Sequence, residues 1–227
     1  MNKAHRTQQL SLLLGWPCFL ILFFLSEKYI SAEQCHTMHC ALDDLIPFCE
    51  AFVIPYVLWY GLIVFSLAYF FIQHPDSFKK LQIYIIIIQA LAMIIYVSFP
   101  SKQLLRPTSF PRDNFLSQLV ALIYRLDTNT GVCPSLHCAI SIAIASVWLK
   151  EKGAPKHLKA AVCILCVLIC MSTVFIKQHS CLDLAAALPL CMLAEYLVFR
   201  CRRDKFMLSQ FLSSAKIKKA SKERRSA

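Results

Sequence analysis

The run LQIYIIIIQALAMIIYVSF, Leu81 to Phe99, decides the fold class. It is long and apolar enough to cross a bilayer as one helix, which takes about 20 mostly apolar residues. Five further stretches read the same way: roughly Gln9–Leu25, Val53–Gln73, Pro134–Leu149, Leu158–Ile176 and Leu182–Phe199. The stretch from Pro134 is short, so its helix starts inside the membrane surface or borrows flanking residues. The whole chain of 227 residues is 58% hydrophobic and only 16% charged, with mean hydropathy +0.56. A soluble domain carries about a quarter charged residues. The expected fold is therefore all-α: a polytopic bundle of six transmembrane helices over residues 9–203. A short N-terminus (1–8) precedes it and a basic tail (204–227) follows. Little chain remains for a second domain, and there is no internal repeat or long linker.

The net charge of +11 invites a nucleic-acid reading, but its placement argues for topology instead. With a cytoplasmic N-terminus, 18 of the 24 Lys and Arg fall on inside segments and 6 on outside ones. That asymmetry obeys the positive-inside rule and puts both termini in the cytoplasm. The expected location is the plasma (cytoplasmic) membrane, with the tail segment KIKKASKERR lying against anionic lipid or serving as a topology anchor. The first span has a second reading as a signal peptide, since basic residues precede it and ISA stands before Glu33; an uncleaved helix is preferred. Most of the twelve cysteines sit in apolar runs, where free Cys behaves as a small hydrophobe. Cys35 and Cys40, in CHTMHC, are open to a disulfide or, with His36 and His39, to a crowded metal clip; the stretch is read as loop structure. Two carboxylates fall at span ends: Glu50, read as interfacial, and Glu195, expected to reach inward towards Arg200.

On this topology three polar clusters meet at the outer face: Ser101–Pro107 (SKQLLRP), Cys133–Cys138 (CPSLHC) and Ser172–Asp183 (STVFIKQHSCLD). His179 and Asp183 are four residues apart, so a helix beginning near His179 puts them on one face. A carboxylate there fixes the imidazole tautomer and leaves the other nitrogen as a nucleophile. His137, in the first turn of the fourth helix, is placed to act as a general acid. Ser135 and the backbone N–H groups from Leu136 onward make an anion site at that helix start, with Pro134 suited to the first turn. Lys102 and Arg106 add cations, Arg106 with a fork that fits phosphate oxygens. A Ser135 nucleophile is disfavoured, because residues two apart on a helix do not face each other. Together the groups make a phosphate site able to cleave a phosphoester through a phosphohistidine. No metal or other cofactor is called for if Lys, Arg and backbone donors carry the developing charge. Arg125 and Asp127, just upstream, either line this pocket or form a solvated pair.

At these residues the chain resembles the type 2 phosphatidic acid phosphatase superfamily of integral membrane lipid phosphatases and phosphotransferases. The family motifs are K-x6-R-P, P-S-x-H and S-R-x5-H-x3-D. The second stands here as Pro134, Ser135, Leu136 and His137; the third as Ser172, Thr173, His179 and Asp183, with Thr173 in place of the arginine. The first is looser: Arg106–Pro107 is present, Phe99 stands seven residues before Arg106, and Lys102 only four before it. The resemblance covers roughly residues 46 to 200. It implies His179 as nucleophile, Asp183 as its orienting partner and His137 as proton donor. It also implies Arg106, Ser135, Ser172 and Lys102 on phosphate, with Lys177 a candidate to replace the missing arginine. The implied activity is metal-independent hydrolysis of a lipid phosphate or diphosphate monoester, a phosphoric-monoester hydrolase of lipid metabolism. The alternatives are headgroup transfer, as in inositol-phosphorylceramide and sphingomyelin synthases, and a non-catalytic protein on the same scaffold. The implied partners are a lipid phosphate and the bilayer.

Overall fold

An apolar run with no water around it must satisfy its backbone internally, and a helix does so within one segment. The computed structural model describes residues 9–200 and is dominated by such helices. We name them α1 (Gly15–Tyr29), α2 (Ala41–Leu45), α3 (Val53–Gln73), α4 (Pro75–Ser98), α5 (Phe115–Leu126), α6 (Leu136–Lys150), α7 (Lys156–Phe175) and α8 (Cys181–Glu195). Among the described residues, the segments containing α1, α3, α4, α7 and α8 are long and apolar enough to cross a membrane. The basic N-terminal residues and the tail with KIKKASKERR lie outside the described residues.

The bundle is built around α6, the short helix. It packs against α3, α4, α7 and α8. Its sequence LHCAISIAIASVWLK explains that position: Ala139 and Ala143 are fully buried and let neighbouring helices approach. Trp148 closes the far end and donates from Nε1 to Ser66 Oγ at 3.0 Å. Large apolar side chains point outward instead of inward, among them Val64, Ile72, Ile94, Ile164 and Met192. A surface of that kind is stable in hydrocarbon and not in water. α1 docks on α4 through Gln82, which accepts from Trp16 Nε1 (3.3 Å) and donates to the Leu12 carbonyl (3.1 Å).

Three connections gather at one end of the bundle, the site end. A two-residue parallel ladder pairs β1 (His36–Thr37) with β2 (Ser101–Lys102). The Gly131 amide donates to Ser101 O at 2.8 Å from a left-handed conformation (φ 62°), which suits glycine. The segment between α4 and α6 carries a helix of its own. It contains α5, an amphipathic helix capped by Asn114, whose side chain accepts from the Ser117 amide at 2.9 Å. Val120 packs with Val53, Tyr56 and Ile176. Glu50 is buried and anchors this segment, meeting Arg112 at 2.8 Å and Asn114 at 3.0 Å. Glu195 does not reach towards Arg200. It pairs with Lys150 at 2.6 Å and accepts from Ser146 Oγ at 2.6 Å.

Candidate active site

Two helix starts build the centre of the site end. α6 begins at Leu136, with Ser135 as N-cap: its side chain accepts from the Cys138 amide at 3.5 Å, and its own N–H donates to Asp183 O at 3.0 Å. Pro134 therefore stands one residue before the cap, not in the first turn, and its carbonyl accepts from Tyr96 Oη at 2.8 Å. α8 begins at Cys181, with Ser180 as N-cap and Asp183 closing a capping box through the Ser180 N–H (2.9 Å). His179 thus precedes the helix. The same Asp183 oxygen that closes the box lies 3.2 Å from His179 Nδ1. Expected helical spacing is replaced by a turn that brings the ring back to its carboxylate.

His179 and His137 face each other with ring centroids 5.9 Å apart. Their surroundings differ. His179 is held by Asp183 and lies near Asp127. Burial alone would push its pKa down, but the Asp183 hydrogen bond and charge, with Cys138 and Asp127, outweigh it and hold the imidazolium above the ordinary range. His137 sits between aromatic rings, 4.4 Å from Tyr56 and 4.2 Å from Trp59, and its Nε2 has no hydrogen-bond partner. At Cys133, burial first, then the charge of Asp183, pushes the thiol up to about 12, which disfavours the thiolate. Cys133 and Cys138 are both free thiols, so the two cysteines of CPSLHC are not joined.

Both histidines line a cavity of about 820 Å³. Asp127 and Gln178, with Glu27, Thr128 and Thr130, add to its polar lining. Below them the walls are apolar, with Trp16, Phe19 and Phe23 from α1, Trp59, Ile63 and Leu67 from α3, and Leu136 and Ile140 from α6. Leu67 lies about 16 Å along α3 from Tyr56, taking 1.5 Å per residue. A void with a polar head and a long apolar body matches the shape of a lipid.

The cations divide. Arg106 stays close to the polar end: Nε and Nη2 donate to Gln178 Oε1 (3.0 and 2.6 Å), and the guanidinium also reaches the carbonyls of Tyr124, Asp127 and Thr128. It lies over the Tyr124 ring at 4.6 Å. Lys102 donates to Ala32 O at 2.6 Å. Lys177, in a left-handed conformation (φ 55°), donates to the carbonyls of Asp43 (2.7 Å) and Ile46 (2.5 Å). None of the three cations lines the cavity itself; Arg106 approaches it through Gln178, which does. Ser172 is buried and donates to Ile169 O at 2.6 Å, and Thr173 to Cys170 O at 2.8 Å; both bond within their own helix.

Four participants were not singled out from sequence: Tyr56, Trp59, Gln178 and Asp43. Asp43 is buried and accepts from Ser180 Oγ (2.6 Å), the Cys181 amide (2.7 Å) and the Cys40 amide (2.8 Å). Its burial favours the neutral form, but these hydrogen bonds outweigh it and hold the carboxyl below its usual range. Three other histidines have partners away from the cavity: His36 stacks on Phe99, His39 pairs with Asp44, and His74 lies by Glu151. No family model matches the chain, and neither a curated protein nor a solved structure is detectably similar to it.

Proposed function

We propose that the chain is a six-span membrane phosphoesterase of the type 2 phosphatidic acid phosphatase kind, acting at the outer face on a lipid phosphate monoester. The observation that carries this reading is the opposed pair of histidines at the polar head of a long apolar cavity. Asp183 takes the Nδ1 side of His179, which leaves Nε2 as nucleophile. Nε2 forms a bond to phosphorus as the bond from phosphorus to the lipid oxygen breaks, and His137 gives that oxygen a proton. Water then attacks the phosphohistidine, returns a proton to His137 and releases phosphate. His137 thus carries its proton before the first step and is neutral between the two, with the rings of Tyr56 and Trp59 flanking it throughout. Arg106 and the N–H groups at the start of α6 carry phosphate charge.

One observation favours a second reading, headgroup transfer to a lipid hydroxyl. Arg106 is the one Lys or Arg side chain bonded to a residue of the cavity's polar end among the described residues. A phosphodiester donor bears about one charge where a monoester bears nearly two. The deciding measurement is turnover of a panel of lipid phosphomonoesters and phosphodiesters in detergent, with and without an acceptor alcohol. Phosphate release means hydrolysis and a new phosphodiester means transfer. His179→Ala should fall to background in both, and undiminished turnover would sink the mechanism.

A further inference from the structure

Cys40 and Cys181 are 141 positions apart in the chain, yet one carboxylate holds both backbones. The Cys40 amide donates to Asp43 Oδ2 at 2.8 Å and the Cys181 amide to Asp43 Oδ1 at 2.7 Å. The two oxygens of a carboxylate are close neighbours, so the two cysteine backbones are forced side by side. Their sulfurs and an Asp43 oxygen all lie within 4.8 Å of one another. Both residues are partly exposed, whereas Cys35 is buried, with its sulfur on Ser31 O at 3.5 Å. The disulfide partner that the sequence suggested for Cys40 is therefore not the one beside it.

We infer that Cys40 and Cys181 form a disulfide that staples the 36–46 loop to the start of α8, the helix that carries Asp183. Both residues are thiols in this structure, and rotation of the two side chains can bring the sulfurs to a bond length of about 2.05 Å. Each thiol loses a proton, and the two sulfurs lose two electrons to the disulfide of a thiol–disulfide exchange protein, which leaves as a dithiol. A metal clip is the weaker use of the same sulfurs, because the Asp43 oxygens already accept three hydrogen bonds, from Cys40, Ser180 and Cys181. Cys181 lies two residues from both His179 and Asp183, so the staple acts on the site by position, not by touching substrate. It rests on the reading of this face as the outer one, where disulfides persist.

The test uses the full chain in intact cells. A membrane-impermeant maleimide is applied first, the remaining thiols are blocked after permeabilisation, and digests are mapped by mass without reductant. The Cys40 and Cys181 peptides should be recovered joined, lighter by two hydrogens than their sum, and separable by reductant. Four results would overturn the inference. Labelling of both by the impermeant reagent gives an outer face with no bond. Labelling of both only after permeabilisation gives an inner face, so the topology itself fails. Labelling that needs a chelator gives a metal clip. Last, reductant should lower the thermal midpoint of the native chain by several degrees and leave Cys40→Ser unmoved; an equal response in both also counts against the staple.

Discussion

The two sides of the cavity head are built on opposite principles. On one side His179 is over-determined. Its ring meets Asp183, Asp183 also caps α8, and Asp43 and Lys177 tie the preceding turn to the 36–46 loop. On the other side His137 touches rings and has an unpartnered Nε2. The difference fits the two roles proposed for the histidines. A nucleophile must keep one tautomer and one direction, which a carboxylate partner enforces. A group that gives up a proton and takes it back is better left without a fixed partner. On this account the hydrogen-bonded side suffers most when its partner is changed. The aromatic side should matter only as much as the leaving oxygen needs a proton.

Short of removing His179 itself, the largest effect should come from Asp183→Asn. The amide oxygen can still accept from the Ser180 N–H, so the cap of α8 survives. The charge that sets the His179 tautomer does not. Turnover should fall by about 10²- to 10⁴-fold, the range for a lost acid–base partnership, with little change in thermal midpoint. A loss of only a few-fold would mean that His179 is held by the turn alone and that the contrast between the two sides is false.

His137→Asn tests the other side and should depend on the substrate. With an alkyl phosphoester, whose leaving oxygen needs a proton, the loss should again be about 10²-fold or more. With a nitrophenyl phosphoester, which leaves well as an anion, turnover should be within about tenfold of the native chain. Equal losses on both substrates would assign His137 to binding or packing and not to proton donation.

Much of this contrast was legible in the sequence, and the part that was not has a physical cause. Apolar runs reveal helices because the hydrocarbon interior leaves the backbone few options; hence α3, α4, α7 and α8 fall close to their expected places. His137, His179 and Asp183 stand out in the sequence because local spacing carries them, and the fold brings them to one end. The capping box was written in the sequence as well, with Ser180 followed three residues later by an acid. The aromatic box and Asp43 were not legible. Tyr56 and Trp59 look like any aromatics of an apolar helix, and Asp43 like a loop acid, until the tertiary fold brings them to the site. α5 has its own local signal: Asn114 as a cap, then Leu116, Leu119, Val120 and Ile123 at helical spacing. Lys102 and Lys177 donate to backbone carbonyls of Ala32, Asp43 and Ile46, which motif spacing does not reveal, since it says nothing of where a long side chain turns.

Asp127→Asn sharpens the comparison by pH. His179 must be neutral at Nε2 to attack, and its imidazolium is favoured by Asp183 and by Asp127. Turnover should therefore drop as pH falls through a value above the ordinary histidine value of about 6.5. Burial pushes the Asp127 carboxyl up, while His179 and Arg106 oppose that, so the two groups titrate as a linked pair. Removing the Asp127 charge lowers the His179 pKa, and the acid limb of the pH–rate profile should move to lower pH. The rate on the plateau should change by no more than a few-fold. A limb that stays in place would leave Asp183 as the one charge that sets the nucleophile.

The smallest effect on turnover should come from Lys177→Met, which separates the clamp from the chemistry. The ammonium donates to two carbonyls of the 36–46 loop and not to the cavity. Losing it leaves both acceptors short of a charged donor, at a cost of about 2 kcal/mol of stability. The thermal midpoint should fall, while KM for a lipid phosphate stays within twofold. If KM instead rises tenfold at an unchanged midpoint, Lys177 reaches the phosphate in the working enzyme. The hydrogen-bonded side of the site would then supply a second cation, and the case for a singly charged phosphodiester donor would weaken with it.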